Sequence, residues 1–228
     1  MLYDTKKTIK WTETIFDFLY LLTIWCYAVL LLSSSASTNS LRWQFGGLTI
    51  LLAIGDTFHL VPRIAAMWIS SKTLFSTALG IGKLLSSITM TFFYLGLWHI
   101  GSVFYQIENT FLTIIMVVLA TIRIFLCLLP QNKWSSLDDE TSTLSVWRNI
   151  PFLILGISVM ILFFIGPNIS SANRFNYGIS FLWVAILISF ACYLPVVLFV
   201  KKNPKLGMLM IPKSCAYIAM IIICSNSI

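Results

Sequence analysis

Residues 111–130 read FLTIIMVVLATIRIFLCLLP, an apolar run broken by a single charge at Arg123. As a helix this run rises about 30 Å, the thickness of the hydrocarbon core of a bilayer. A helix that is apolar on every side is either buried in a large core or crosses a membrane, and the rest of the chain decides between the two. Six further apolar segments run approximately over 15–33, 45–68, 74–100, 149–167, 178–200 and 207–225. Of 228 residues, 58% are hydrophobic and 10% are charged, against a charged share of about 25% in soluble domains. Fifteen Lys and Arg with eight Asp and Glu cannot cover the surface of a soluble protein of this length. That excludes a soluble enzyme, a disulfide-stapled secreted domain and a disordered chain. The prediction is an all-α, polytopic membrane protein with seven transmembrane helices forming a single domain over 1–228. Strands are excluded because the runs are continuously apolar rather than alternating.

Lys6, Lys7 and Lys10 precede the first apolar run, and Ser33-Ser34-Ser35-Ala36-Ser37 resembles the small-residue region of a signal-peptide cleavage site. The run is long, however, and carries Asp17, Tyr20, Trp25 and Tyr27, so it is read as a retained first helix. With the N-terminus inside, the cytoplasmic side holds Lys6, Lys7, Lys10, Lys72, Lys133, Arg148, Lys201, Lys202 and Lys205, and the outer loops hold Arg42 and Arg174. Nine cations against two is a positive-inside pattern, which places the N-terminus in the cytoplasm and the C-terminus outside, with the plasma membrane as the expected location. Trp11, Trp43, Trp68, Trp98, Trp134 and Trp147 fall near the expected helix ends, as an interfacial aromatic belt requires.

The net charge of +7 does not form a patch or tail, so no nucleic-acid partner is expected. The five cysteines all lie inside apolar runs, and their spacing fits neither a metal site nor a disulfide framework. No metal and no cofactor is identified, and the bilayer itself is the one certain partner. The loop 131–148 carries Asp138-Asp139-Glu140, read as a solvated charge run.

Arg63, Lys83, Arg123 and Lys213 stand within apolar segments, each five to nine residues from the cytoplasmic end of its helix and so roughly 8–14 Å deep. Bending of a long stem back to the interface suffices for Lys213 and is strained for Lys83, the deepest of the four. The second helix carries Gly55-Asp56-Thr57-Phe58-His59-Leu60-Val61-Pro62-Arg63. Asp56, His59 and Arg63 follow an i, i+3, i+7 spacing and share one face. A carboxylate, an imidazole and a guanidinium on one buried face can move protons or hold an anion. Pro62 cannot donate a backbone hydrogen bond, which frees the carbonyl of Phe58 for a side chain, water or ligand. On the third helix Ser76, Gly80, Lys83, Ser87, Thr91 and Tyr94 recur at three- and four-residue intervals, a face suited to packing or to lining a cavity with Asp56 and His59.

A rhodopsin would need a Schiff-base lysine deep in the seventh helix, whereas Lys213 is near its start. The seven-helix zinc hydrolases use three histidines, and this chain has two in all. Pro62 with Pro195 and Lys83 with Lys213 form a faint echo between the second and third helices and the sixth and seventh, as in transporters built from parallel repeats. The expected function is therefore a cytoplasm-facing cavity for an anionic small molecule or lipid head group. Arg63, Lys83 and Arg123 would neutralise the anion, Ser87, Thr91 and Tyr94 would line the site, and His59, oriented by Asp56, would act as acid or base if chemistry occurs. A small-solute transporter with Asp56 as the protonatable coupling site, and a non-catalytic membrane subunit with an unidentified protein partner, are the alternatives.

Overall fold

The computed structural model describes residues 2–35, 40–69, 73–107, 109–135, 143–169, 178–199 and 203–228. Its helices are α1 (Leu2–Ser33), α2 (Leu41–Ile69), α3 (Ser76–Tyr105), α4 (Thr110–Leu128), α5 (Thr143–Ile169), α6 (Leu182–Phe199) and α7 (Met210–Ser227), with 3-10 turns at Pro130–Asn132, Ile179–Phe181 and Pro204–Leu209. Among the described residues, seven helical segments are long and apolar enough to cross a membrane, so the chain is an all-α, multi-pass membrane protein. Exposed Phe18, Leu19, Leu22, Val29, Phe111, Ile114, Phe125 and Phe164 form an apolar outer surface that suits lipid rather than water.

Neighbouring helices pack in chain order, and α1 closes the ring against α7. The third helix meets α2, α4 and α5 and so occupies the middle. Its approach to α2 depends on two glycines. A Cβ at Gly55 would lie 1.9 Å from Thr89 Oγ1, and one at Gly82 would lie 2.2 Å from the carbonyl oxygen of Phe58. Gly82 therefore brings the α3 backbone against the very carbonyl that Pro62 leaves without its helical donor. That carbonyl therefore faces the α3 backbone at Gly82.

Several boundaries also need correction. The helices α1, α2 and α5 begin earlier than the apolar runs at 15, 45 and 149, and α3 extends to Tyr105 rather than to 100. Hydropathy marks the part of a helix that suits lipid, and the hydrogen-bonded spiral continues beyond it. The fourth helix stops earlier, because Leu129 precedes Pro130 and takes an extended conformation with ψ 129°. The early start of α5 moves the end of the connector from 148 to 142. Asp138-Asp139-Glu140, Lys72, Arg174, Lys201 and Lys202 lie outside the described residues. Trp98 is no belt residue: it is buried within α3, and its Nε1 donates to Thr113 Oγ1 of α4 at 3.3 Å.

Side-chain caps close the helix ends on the face that bears the cavity. Lys10 Nζ donates to the carbonyl of Met67 near the end of α2 at 2.9 Å. Asn132 Nδ2 reaches the carbonyls of Leu126 and Leu129 at 2.7 and 2.9 Å, and Trp134 Nε1 reaches that of Cys127 at 2.9 Å. These bonds satisfy acceptors that the last turn of α4 would otherwise leave open.

Candidate functional site: a cationic cavity inside the bundle

Seven helices and one connector contribute to a partly open cavity of about 170 Å³. It is lined in the N-terminal-side half of the bundle, by the later parts of α2, α4 and α6 and the early parts of α3, α5 and α7. At about 10–15 Å³ per water site, the space holds on the order of ten waters. A phosphate- or carboxylate-sized group fits; drug-sized ligands need roughly 300 Å³ or more.

Among the described residues, the lining holds more cations than carboxylates. Lys83 from α3, Arg123 from α4, Arg148 from α5 and Lys213 from α7 meet one carboxylate, Asp56 from α2. Arg123 is only 2% exposed. Its Nε donates to Thr91 Oγ1 at 2.8 Å, and its Nη1 donates to the carbonyl of Arg148 at 3.0 Å and to Asn149 Oδ1 at 3.4 Å. The guanidinium carbon lies 3.8 Å from the centroid of the Phe152 ring. Every one of these partners is neutral. Lys213 Nζ likewise lies 5.0 Å from the centre of the Tyr193 ring and 5.4 Å from that of Tyr217. Among the described residues, no carboxylate lies within salt-bridge distance of Arg123 or Lys213. Rings and dipoles orient such cations and stabilise them partly, leaving their net charge in place.

Arg148 is held from the connector. Its Nη1 donates to Asn132 Oδ1 at 2.9 Å, and its guanidinium lies 4.1 Å from the centre of the Trp134 ring. Asn132 thus caps α4 with its amide nitrogen and orients Arg148 with its amide oxygen. The carboxylate is anchored separately: Tyr20 Oη of α1 donates to Asp56 Oδ2 at 2.5 Å, with Ser86 of α3 beside it on the wall. Lys213 is the cation whose charge acts on Asp56. Beneath the cavity, Tyr94, Phe152 and Phe190 pack with ring centres 5.2–5.4 Å apart.

Asp56, His59, Lys83, Ser87 and Arg123, all expected at the site from sequence, come together on the cavity wall. Arg63 does not. Two turns beyond Asp56, it reaches Glu13 of α1 in an ion pair of 3.3 Å. Thr91 stands behind the wall, accepting from Arg123 and donating to the carbonyl of Ser87 at 2.8 Å. Tyr94 is fully buried in the aromatic layer, its hydroxyl 3.5 Å from that of Tyr217. Sequence reasoning missed Tyr20, Arg148, Tyr193 and Tyr217, and it set Lys213 aside as an interfacial lysine. Arg148 was assigned to a loop because the apolar run starts at 149; the helical start at Thr143 places it inside α5. Lys213 sits near the start of an apolar run, yet the turn at Pro204–Leu209 precedes α7 and the side chain enters the cavity.

Chemically, two guanidiniums and two ammoniums around a small wet space suit an anion with several oxygens. His59 adds an imidazole to the wall, with Nδ1 buried and unpartnered. Among the described residues, no group of three or more His, Cys, Asp and Glu is arranged to hold a metal ion. In comparisons with known protein families, curated proteins and solved structures, nothing matches this chain.

Proposed function

We propose that this chain is a plasma-membrane protein with a cytoplasmic N-terminus, and that its cavity binds an anionic small molecule or lipid head group from the cytoplasmic side. The observation that carries this reading is the pair of cations on the wall, Arg123 and Lys213, whose close contacts among the described residues are all neutral. A cation inside a membrane span costs about 2.5–3.5 kcal/mol on insertion scales, and Arg123 and Lys213 sit in two spans with only neutral groups at close range. An anion offsets that cost. The positive-inside distribution supports the orientation, since the cavity lies in the half of the bundle that carries the N-terminus. A transporter of the same anion, with Asp56 as coupling carboxylate, is favoured by the place of Asp56 on the wall. An enzyme is favoured only if His59 acts on the bound molecule.

Native mass spectrometry of the gently purified protein tests the reading. The wild type is expected to retain an anionic mass that Arg123→Ala and Lys213→Ala both lose while remaining folded. Bare wild-type protein that neither inorganic phosphate nor citrate nor anionic phospholipid stabilises against heat would overturn it. If a ligand is retained, its uptake or chemical change in proteoliposomes separates transporter from enzyme.

A further inference from the structure

A ladder of polar groups on the seam between α1 and α2 shares Tyr20, Asp56 and His59 with the cavity wall. Glu13, Asp17 and Tyr20 follow an i, i+4, i+7 spacing on α1, and Asp56, His59 and Arg63 follow i, i+3, i+7 on α2. The two helices run antiparallel, and their outer pairs are in contact, Glu13 with Arg63 at 3.3 Å and Tyr20 with Asp56 at 2.5 Å. Asp17 lies four residues after Glu13, and His59 lies four before Arg63. Asp17 lies three before Tyr20, and His59 three after Asp56. The register therefore sets Asp17 opposite His59 as the middle rung of a three-rung ladder.

The outer rungs are bonded and the middle one is not. Asp17 Oδ2 and His59 Nδ1 are both buried with no hydrogen-bond partner among the described residues. Buried polar atoms are hydrogen-bonded as a rule, and a carboxyl and an imidazole are the two groups best suited to pass a proton near neutral pH. Two orphaned atoms on facing positions of one seam point to a shared guest.

We propose that Asp17 and His59 form a proton-binding site, in which one exchangeable proton is held between the two side chains through a bridging water. Its link to the cavity rests on the anion reading above. His59 lines the cavity, and Lys83 of α3, Lys213 of α7 and Arg63 on its own helix all act on it electrostatically. An anion bound among these cations supplies a counter-charge for an imidazolium on the wall. Asp17 is acted on by Arg63 across the seam, by Glu13 on its own helix and by Asp56. When the anion enters, the O–H bond of Asp17 breaks, the water relays a proton, and an N–H bond forms on His59. A carboxylate then faces Arg63, an imidazolium faces the anion, and no net charge is created. Tyr20 on α1 and Tyr217 on α7 also lie near, as neutral hydroxyls.

Infrared spectroscopy of the full chain in lipid tests the site without any ligand. A protonated-carboxyl stretch is expected at about pH 5 in the wild type and lost in Asp17→Asn, while Glu13→Gln and Asp56→Asn retain it. His59→Gln is expected to move the pH at which the band disappears by at least one unit. If Asp17→Asn does not fold, Asp17→Glu, which displaces the band, makes the same assignment. No band in the wild type, or a band indifferent to both substitutions, overturns the proton site. With inorganic phosphate as probe, binding accompanied by loss of the band supports the coupling, and binding with an unchanged band overturns it. An intact, His59-dependent band without phosphate binding supports the proton site and counts against the anion reading alone.

Discussion

Tyr20 of α1 and Asp56 of α2 are joined by a hydrogen bond of 2.5 Å between the phenol and the carboxylate, both almost wholly buried. This contact ties the first helix to the cavity and gives the single cavity carboxylate a fixed donor. Leaving a buried acceptor without its donor costs roughly 1–3 kcal/mol. Tyr20→Phe is expected to cost about that much in thermal or denaturant unfolding, because Asp56 keeps its burial and loses a donor. The decisive measurement is a double-mutant cycle with Asp56→Asn. Additive losses would show that the two side chains do not act on one another.

Arg123 depends on Thr91 in a similar way. Thr91→Val keeps the volume and removes the acceptor 2.8 Å from Arg123 Nε. The cost is expected at about 1–3 kcal/mol, the penalty of an unmet buried donor. Arg123→Lys keeps the charge but cannot bond Thr91, Asn149 and the Arg148 carbonyl together. Affinity for the retained anion should therefore fall at least about tenfold in Arg123→Lys, since a planar fork and a point charge are not interchangeable. Equal affinity in the two proteins would remove Arg123 from the site.

The seven spans and the face bearing Asp56 and His59 could be read from the sequence because the relevant physics is local. Twenty apolar residues suffice to cross a bilayer, and an i, i+3 spacing sets neighbours on one helix. What brings Arg148 and Lys213 to the same cavity is not local. Arg148 depends on a helix start hidden before the apolar run and on Asn132 from the connector. Tyr20 becomes a site residue only through the register of α1 against α2, which hydropathy does not encode. Arg63 shares its face with Asp56, yet Glu13 of another helix claims it.

Gly82 and Gly47 are both on helices, but only one needs to lack a side chain. A Cβ at Gly82 would meet backbone at 2.2 Å, whereas a Cβ at Gly47 would meet nothing within 4 Å. Gly82→Ala is expected to push α3 from α2 and destabilise the fold by about 1–3 kcal/mol, as overpacking does. Gly47→Ala should be neutral or stabilising by up to about 1 kcal/mol, because alanine loses less backbone entropy in a helix. Unfolding midpoints in detergent compare the two, and equal effects would contradict the close contact of α2 with α3.

The ion pair of Glu13 and Arg63 is partly solvated, with side chains 23% and 33% exposed. Pairs of that kind contribute roughly 0–1 kcal/mol. The coupling energy from Glu13→Gln, Arg63→Met and the double variant is expected to stay below about 1 kcal/mol and to shrink in high salt. A larger, salt-independent coupling would mean that the outer rung is sealed from water.

Lys213 and Arg42 carry equal charges at opposite ends of the bundle, which makes them a matched pair. Arg42 donates to the carbonyl of Ser225 at 2.7 Å and to Ser34 at 2.9 Å, and it is no part of the cavity. Arg42→Ala therefore costs stability, because it frees a helix-terminal acceptor, and should leave anion affinity within about twofold, since exposed charges beyond about 10 Å are screened at 0.1 M salt. Lys213→Ala removes an ammonium from the wall itself and should lower affinity tenfold or more, as losing 1.4 kcal/mol or more of attraction does. It should also make the remaining affinity less sensitive to salt. Titration of each variant with the retained anion at two ionic strengths separates a site charge from a general surface potential. If Arg42→Ala weakened binding as much as Lys213→Ala, the anion would be responding to the charge of the whole chain and the cavity would lose its claim to it.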